Sequence, residues 1–295
     1  MTAIPETRDI PHRLLLATDL SARCDRALDR AAQLAEEWQA ELVALNVLDP
    51  AASPDQALAW ISGESDEQLL HVARQQLAHD LATANVPATL RLVRSDDASS
   101  AIRETAASTQ SGLVVTGVSS NDTLGRFLLG STVENLARSI SQILLVVRKR
   151  THGPYRRIVV ASDFSASSRH ALLTAARCFP GRELILYHAH AVAMSGLADA
   201  SSHPGVCVGI EENEYAAFMA TTVLPQNVKV RSVVECGAIE SSLTRYVREH
   251  GIDLVVVGNH GRSGLMSLLL GSTAAKLLNW LPCDTLLVRE PNAMT

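Results

Sequence analysis

The sequence predicts an α/β fold of two tandem domains, each a five-stranded parallel sheet with helices on both faces. Short apolar runs of Val, Leu and Ile alternate with longer Ala- and Leu-rich stretches, an order typical of strand–helix–strand crossovers. The chain has 295 residues, a length that suits two domains. The same series of segments also occurs twice along the chain.

The duplication is visible in four segments that return, in the same order, about 140 residues later. The matching pairs are 13–21 with 157–165, 113–117 with 254–258, 128–132 with 269–273, and 143–148 with 284–289. A period of this length exceeds that of solenoid repeats and indicates a duplicated domain. We therefore place the domains at residues 1–150 and 151–295, with the Gly153-Pro154 pair breaking regular structure between them.

The apolar runs locate the strands of both copies. They are predicted at 13–18, 41–47, 89–94, 112–117 and 142–148, and again at 156–161, 183–189, 228–234, 252–258 and 284–289. Helices are predicted near 22–38, 64–84, 98–108 and 131–139 in the first copy. Because the strands are apolar throughout, the sheets should be parallel and covered on both faces. The stretch 191–208, rich in Ala, Ser, Gly and His, is predicted to be a mobile loop.

Composition excludes several classes of partner. The formal net charge is −5, and neither half is basic enough to predict nucleic-acid binding. No apolar run approaches the ~20 residues of a membrane span, and the first twelve residues show no signal-peptide pattern. The five cysteines are scattered and form no CxxC pair, which favours a reducing compartment. We therefore expect a cytoplasmic protein without nucleic-acid or membrane partners.

One motif of the second copy is typical of phosphate binding. It reads Gly258-Asn259-His260-Gly261, then nine residues, then Gly271-Ser272-Thr273. In an open parallel sheet, ligands bind beyond the carboxyl ends of the strands. Glycines there let backbone N–H groups approach a phosphate, and a helix N-terminus adds free donors. Ser272 and Thr273 either cap that helix or contact phosphate oxygens, and Arg262 supplies a cation. Glycines at strand ends also have purely structural roles, and the motif is neither a P-loop nor a Rossmann fingerprint.

With Asp163 after the first strand and Pro282-Cys283 before the fifth, this motif resembles the universal stress protein family, specifically its tandem two-domain members. The resemblance covers nearly the whole chain and implies an adenine nucleotide alpha hydrolase-like fold. It further implies ATP, with Mg²⁺, bound with adenosine near the first two strands and phosphates on the glycine loop. The binding residues implied are Asp163, His188, Gly258, Gly261, Arg262, Gly264, Gly271, Ser272 and Thr273. A stress-response role is expected on the same ground. A homodimer or intramolecular pseudo-dimer is expected because the apolar strands 142–148 and 284–289, left exposed at an edge, would invite association.

The first copy departs from this pattern in its phosphate loop. Gly117 and Gly130 match, but Ser120 replaces the second glycine, Asn121 stands where Arg262 does, and Asp122 adds a negative charge. Like charge near a triphosphate is unfavourable, and more so at low dielectric. The first domain is therefore predicted to have a degenerate loop.

Further candidate residues have both a functional and a structural interpretation. His188, His190, His203 and Cys207 are of the types that bind zinc tetrahedrally, although a histidine near adenine is also an ordinary pocket residue. His260 is either an acid or base or a hydrogen-bonding loop residue. Asp19 and Asp163 precede helices and are alternatively helix N-caps.

Three functional hypotheses remain open. The first is a nucleotide-dependent regulator or interaction module that binds ATP in its second domain. The second is an enzyme, either a slow ATPase or a nucleotidyl-transferring protein that uses His260 and Mg²⁺. The third is a structural interaction protein with vestigial sites. No nucleophile–base pair with a third orienting group is recognisable, so no catalytic residue is assigned and binding is favoured over turnover.

Overall fold

The computed structural model describes residues 10–22, 24–48, 66–82, 84, 86–118, 129–190, 205–260 and 270–290, with backbone alone at 66 and 205–212. The chain forms two compact units, the first mainly from residues before Tyr155 and the second mainly from Tyr155 onward, with residues 137–141 grouped in the second. Within the described residues no helix combines the length and the apolar character that crossing a membrane would require. Four cysteines, Cys24, Cys178, Cys236 and Cys283, are described and form no disulfide.

The first unit is a parallel sheet with the strand order β3-β2-β1-β4-β5. Its strands are β1 (Arg13–Thr18), β2 (Glu41–Leu48), β3 (Ala88–Arg94), β4 (Leu113–Gly117) and β5 (Ile143–Val147). Its described helices are α1 (Asp25–Trp38), α2 (Asp66–Asp80), α3 (Ala98–Ser108) and α4 (Ser131–Ser139). The central strands β2, β1 and β4 are buried along most of their length, as expected of a parallel sheet covered on both faces.

The second unit repeats this arrangement with the order β10-β9-β6-β7-β8. Its strands are β6 (Ile158–Ala161), β7 (Glu183–His190), β8 (Lys229–Cys236), β9 (Leu254–Gly258) and β10 (Asp284–Val288). Its described helices are α5 (Ala166–Cys178), α6 (Gly205–Ala220), α7 (Ile239–His250) and α8 (Ser272–Trp280). The predicted α/β fold of two tandem five-stranded parallel sheets is confirmed.

The two sheets also share their register. Ala17 lies opposite Leu45 in the first unit, and Ala161 lies opposite Tyr187 in the second. The residues that follow, Asn46 and His188, therefore occupy equivalent positions at the carboxyl end of the second strand. This is the sheet edge at which an open parallel sheet presents its ligand site.

One expectation from composition is wrong in part. The stretch 191–208 was expected to be a loop, but Gly205 to Val208 belong to the backbone of α6; residues 191–204 lie outside the described residues. Two glycines near the start of this helix weaken it by about 1 kcal/mol each. Once a helix has nucleated, however, each added residue gains a hydrogen bond, and Phe218 anchors α6 in the core at 3% exposure.

Candidate functional site

A cavity of about 220 Å³ lies at the carboxyl ends of β6, β7 and β9, beside the N-terminus of α8. The predicted site residues that line it are Asp163, His188, Gly258, Gly271, Ser272 and Thr273. The other three, Gly261, Arg262 and Gly264, lie outside the described residues. The structure thus brings together residues from four separate segments of the second unit, as the motif positions predict.

The turn after β6 places Asp163 on the cavity wall. Its Oδ1 accepts from the backbone N–H of Ser165 at 3.1 Å. The N-cap of α5 is Ser165, whose Oγ accepts from the amide of Ser168 at 3.2 Å. The interpretation of Asp163 as the helix cap is therefore wrong. The same holds for Asp19, since the N-cap of α1 is Cys24.

His188 lies beside this turn with a defined orientation. Its Nδ1 is 2.8 Å from the carbonyl oxygen of Ser162. A carbonyl only accepts, so we assign the hydrogen to Nδ1, which leaves Nε2 as the acceptor in the neutral ring. The ring stacks on Phe164 with centroids 4.6 Å apart, and Phe164 contacts Phe218 in turn. Packing and hydrogen bonding together fix the imidazole at the cavity wall.

Both described glycines of the motif lie in close chain packing, which leaves no room for a Cβ at Gly258 and little room at Gly271. A Cβ on Gly258 would lie 2.6 Å from the Oγ of Ser167 and 3.0 Å from its backbone carbonyl atoms. A Cβ on Gly271 would lie 3.2 Å from the carbonyl oxygen of Asn259, which also accepts the Gly271 N–H at 2.8 Å. The backbone N–H of Gly271 is therefore already hydrogen-bonded inside the protein. That Gly271 belongs to the phosphate cradle stays a prediction, and its contribution would be close chain packing and not its own N–H.

The donors at this end of the cavity belong instead to the first turn of α8. Gly271 is the N-cap, with no side chain to bond the following amides, so the interpretation of Ser272 as the cap is wrong. The first helical bond runs from the Ala275 N–H to the carbonyl of Gly271. The amides of the first turn have no partner inside a helix, and the side chains of Ser272 and Thr273 are exposed beside them.

Two residues that sequence reasoning did not select support this end of the site. Asn259 is 1% exposed, and its Oδ1 lies 3.4 Å from both the Ser167 Oγ and the Glu290 amide nitrogen. Ser167 also accepts from the backbone N–H of His260 at 3.3 Å. Asn259 had a weak signal, because it is a polar residue directly after an apolar strand. Ser167 had none, because it lies on α5, far from the motif in the sequence.

The remaining histidine and cysteine candidates have different outcomes. The Nε2 of His260 is buried and has no hydrogen-bond partner within the described part of the chain. His190 is exposed at the end of β7. His203 and the side chain of Cys207 lie outside the described residues, so the zinc hypothesis stays a prediction. In the described ranges no three metal-binding side chains form a cluster.

The corresponding edge of the first unit differs in the residues that are described. Asn46 is buried at the position of His188, and Val118 follows β4 where Asn259 follows β9. Of the described backbone bonds, none joins Val118 to Gly130, the counterparts of Asn259 and Gly271. Ser120, Asn121, Asp122 and Thr123 lie outside the described residues.

Comparisons with known proteins agree with this architecture. The Universal stress protein family matches residues 11–148 and 154–289. A universal stress protein of Mycolicibacterium smegmatis is 25% identical over 301 residues, covering 94% of this chain and 96% of that protein. Universal stress protein A homolog 2 of Coxiella burnetii is 30% identical over 142 residues, covering 46% of this chain and 95% of that protein. The crystal structure of a universal stress protein from Archaeoglobus fulgidus has a TM-score of 0.70 at 17% identity, covering 95% and 99% of the two chains.

Proposed function

Because the chain belongs to the universal stress protein family, we propose that its second domain, residues 151–295, binds ATP with Mg²⁺. The protein would act in the cytoplasm as a nucleotide-dependent regulator or interaction module of a stress response. In this proposal the first domain, residues 1–150, has a degenerate phosphate loop. A homodimer or an intramolecular pseudo-dimer remains the predicted assembly.

The observation that carries the proposal is the composition of the cavity wall. Apolar residues such as Val257, Ile239 and Leu277 line it together with a few convergent polar groups, as is usual for small-molecule sites. Three described helices of the second unit begin beside the cavity: α5, α7, whose first residue Ile239 lines it, and α8. The N-terminus of α5 is occupied by its own cap, Ser165. Neither α7 nor α8 has a capping side chain. The first turn of α8 also carries two exposed hydroxyl side chains, so we assign the anion to α8.

The adenosine end is assigned to the turn after β6. A carboxylate accepts several hydrogen bonds at once, so Asp163 can accept from a ribose hydroxyl in addition to Ser165. The Nε2 of His188 offers a further acceptor to the nucleoside. Both groups are held in place by backbone contacts, which reduces the ordering cost of binding.

The phosphate end is assigned to the first turn of α8. Its amides and positive dipole end favour an anion, and the hydroxyls of Ser272 and Thr273 are exposed beside them. By family resemblance, Gly261, Arg262 and Gly264 complete this end. Mg²⁺ keeps several waters and prefers phosphate oxygens. The described wall offers one carboxylate, that of Asp163, so phosphates, water and hydroxyls would hold the ion.

These groups favour binding over turnover. Amides, hydroxyls and one arginine stabilise the charge of ground-state phosphate, and equal stabilisation of ground and transition states gives affinity without rate. A slow ATPase is the second candidate. The observation that favours it is the buried Nε2 of His260, which has no partner among the described residues.

Thermal melting and turnover assays with one set of ligands test both candidates. ATP and a non-hydrolysable analogue should stabilise the protein equally, by about 2.7 kcal/mol at a hundredfold excess over the dissociation constant. Steady-state turnover should stay well below the ~1–100 s⁻¹ of kinases, and His260→Ala should change stabilisation little. If no adenine nucleotide changes the melting temperature, the binding proposal is refuted. A turnover rate near one per second that is lost in His260→Ala would instead support the ATPase hypothesis.

A further inference from the structure

Asn259 is the point at which three segments of the second unit meet. Its backbone N–H donates to the carbonyl of Val288 at 3.0 Å, and its own carbonyl accepts the Gly271 N–H at 2.8 Å. Its Oδ1 accepts from the backbone N–H of Glu290 at 3.4 Å. The end of β9 is thereby tied to the end of β10 and to the N-cap of α8. A side chain that is 1% exposed must satisfy its polar atoms within the protein.

Ser167 extends this network to α5. Its hydroxyl donates to the Oδ1 of Asn259 at 3.4 Å and accepts the His260 N–H at 3.3 Å. A hydroxyl is the smallest group that donates and accepts at the same time. It lies against the Cα of Gly258, where no Cβ fits. The glycine, the serine and the asparagine therefore form one packed arrangement.

The network determines which amides face the cavity. The N–H groups of His260 and Gly271 are both taken up inside the protein. Among the described residues, the donors left at this edge include those of the first turn of α8, which the backbone carbonyl of Asn259 holds through the Gly271 N–H. We infer that Asn259 and Ser167 are positioning residues, which hold the start of α8 in the orientation that binds the phosphates of the nucleotide. This inference rests on the proposed function and adds to it the residues that build the phosphate end.

The first unit offers a natural contrast at the same position. Val118 follows β4 as Asn259 follows β9, and a valine side chain has no acceptor for either side-chain bond. Val118→Asn is thus a matched control. It introduces the same side chain into a unit for which no nucleotide site is proposed.

Affinities for ATP and for adenosine, compared in the same variants, test the inference. Positioning at the phosphate end predicts that Asn259→Val weakens ATP binding about tenfold or more and Ser167→Ala about fivefold, as expected from the loss of one or two hydrogen bonds. Adenosine, which has no phosphates, should bind the variants and the wild-type protein equally. Val118→Asn should change neither affinity. Calorimetry in Mg²⁺ buffer measures all of these values.

The split between the two ligands separates positioning from general damage. Equal loss of ATP and adenosine affinity, or unchanged ATP affinity in both variants, overturns the inference. If Asn259→Val does not fold, Ser167→Ala carries the test, because it removes a single oxygen atom. Wild-type protein that binds neither ligand refutes the proposed function itself. Wild-type protein that binds both, with ATP affinity unchanged in the variants, refutes the positioning role alone.

Discussion

The two units have the same turn after their first strand but differ after their fourth. In the turns after β1 and β6, the equivalent residues Leu20 and Phe164 have left-handed φ values of 58° and 60°. The backbone N–H of each donates to the side-chain hydroxyl of the residue two positions earlier. After the fourth strand, the described residues show a bond between Asn259 and Gly271 in the second unit and none between their counterparts in the first.

The contrast separates local from distant causes. The turn depends on hydrogen bonds between residues two positions apart, such as those that Asp19 and Asp163 accept, and short polar side chains form these wherever they occur. The network around Asn259 also needs Ser167 from α5. Both copies therefore keep the turn, whereas the side-chain hydrogen bonds of Asn259 have no counterpart at Val118, because valine carries no polar atom.

The largest expected effect comes from adding a carboxylate at the N-cap of α8. Gly271→Asp should weaken ATP binding about a hundredfold, because two like charges ~5 Å apart repel by about 3 kcal/mol at an effective dielectric of 20. Gly130→Asp, the matched change in the first unit, should leave affinity unchanged. Asp is a good N-cap, so unliganded Gly271→Asp should melt near the wild-type temperature. Titration calorimetry decides, and equal losses in both variants would contradict the assignment to the second domain.

A methyl group at the end of β9 should destabilise the second unit. Gly258→Ala places a Cβ within 3.0 Å of the Ser167 backbone, and overpacking of this kind costs about 1–3 kcal/mol. Ser167→Gly in the same chain should recover only part, because the backbone contact persists. Gly117→Ala should cost less, since α1 begins later after its strand than α5 does. Urea denaturation measures the four free energies of unfolding, and full recovery in the double variant would show that the side chain alone is responsible.

Replacing Leu20 and Phe164, the left-handed residues of the two equivalent turns, by glycine should change the stability of the two units differently. A left-handed L-residue is strained by about 1–2 kcal/mol, so Leu20→Gly should be close to neutral. Phe164→Gly relieves the same strain but removes the ring that stacks on His188 and contacts Phe218, so we expect a net loss of about 1 kcal/mol. Melting temperatures of the two variants provide the comparison. A more damaging change at Leu20 would contradict it.

The smallest expected effect concerns the helix after the third strand. Asp97 caps α3, whereas the equivalent Ala238 gives α7 no side-chain cap. Hydrogen bonds from Ser100 and Ser99 lower the pKa of Asp97 to about 2 from 3.8. Because the folded pKa is the lower one, this stabilisation is complete above pH 4 and is lost as the pH falls toward 2. Asp97→Ala should therefore lower stability at pH 7 but much less near pH 2, as acid and neutral melts would show.

Much of the fold, and the clustering of the described site residues, could be predicted from the sequence. The strands are predicted to within about two residues of their observed ends, because a buried parallel strand is a continuous apolar run. The family resemblance is confirmed, and the described motif residues meet at one cavity. The helix caps were wrongly predicted, and the close packing around Gly258 was not predicted. This packing depends on a chain segment that approaches from elsewhere, as Ser167 does at Gly258, and the sequence around the motif carries no signal for such an approach.

The uncapped start of α8 makes this helix incomplete on its own. With glycine in place of a capping side chain, a helix end is about a few tenths of a kcal/mol less stable, and a less stable end opens more readily in local unfolding. A bound phosphate would take the place that serine fills at α5. Bound nucleotide would then form part of the helix end, and without nucleotide the first turn of α8 would fray. The degree of backbone order at the start of α8 would therefore change with the concentration of nucleotide.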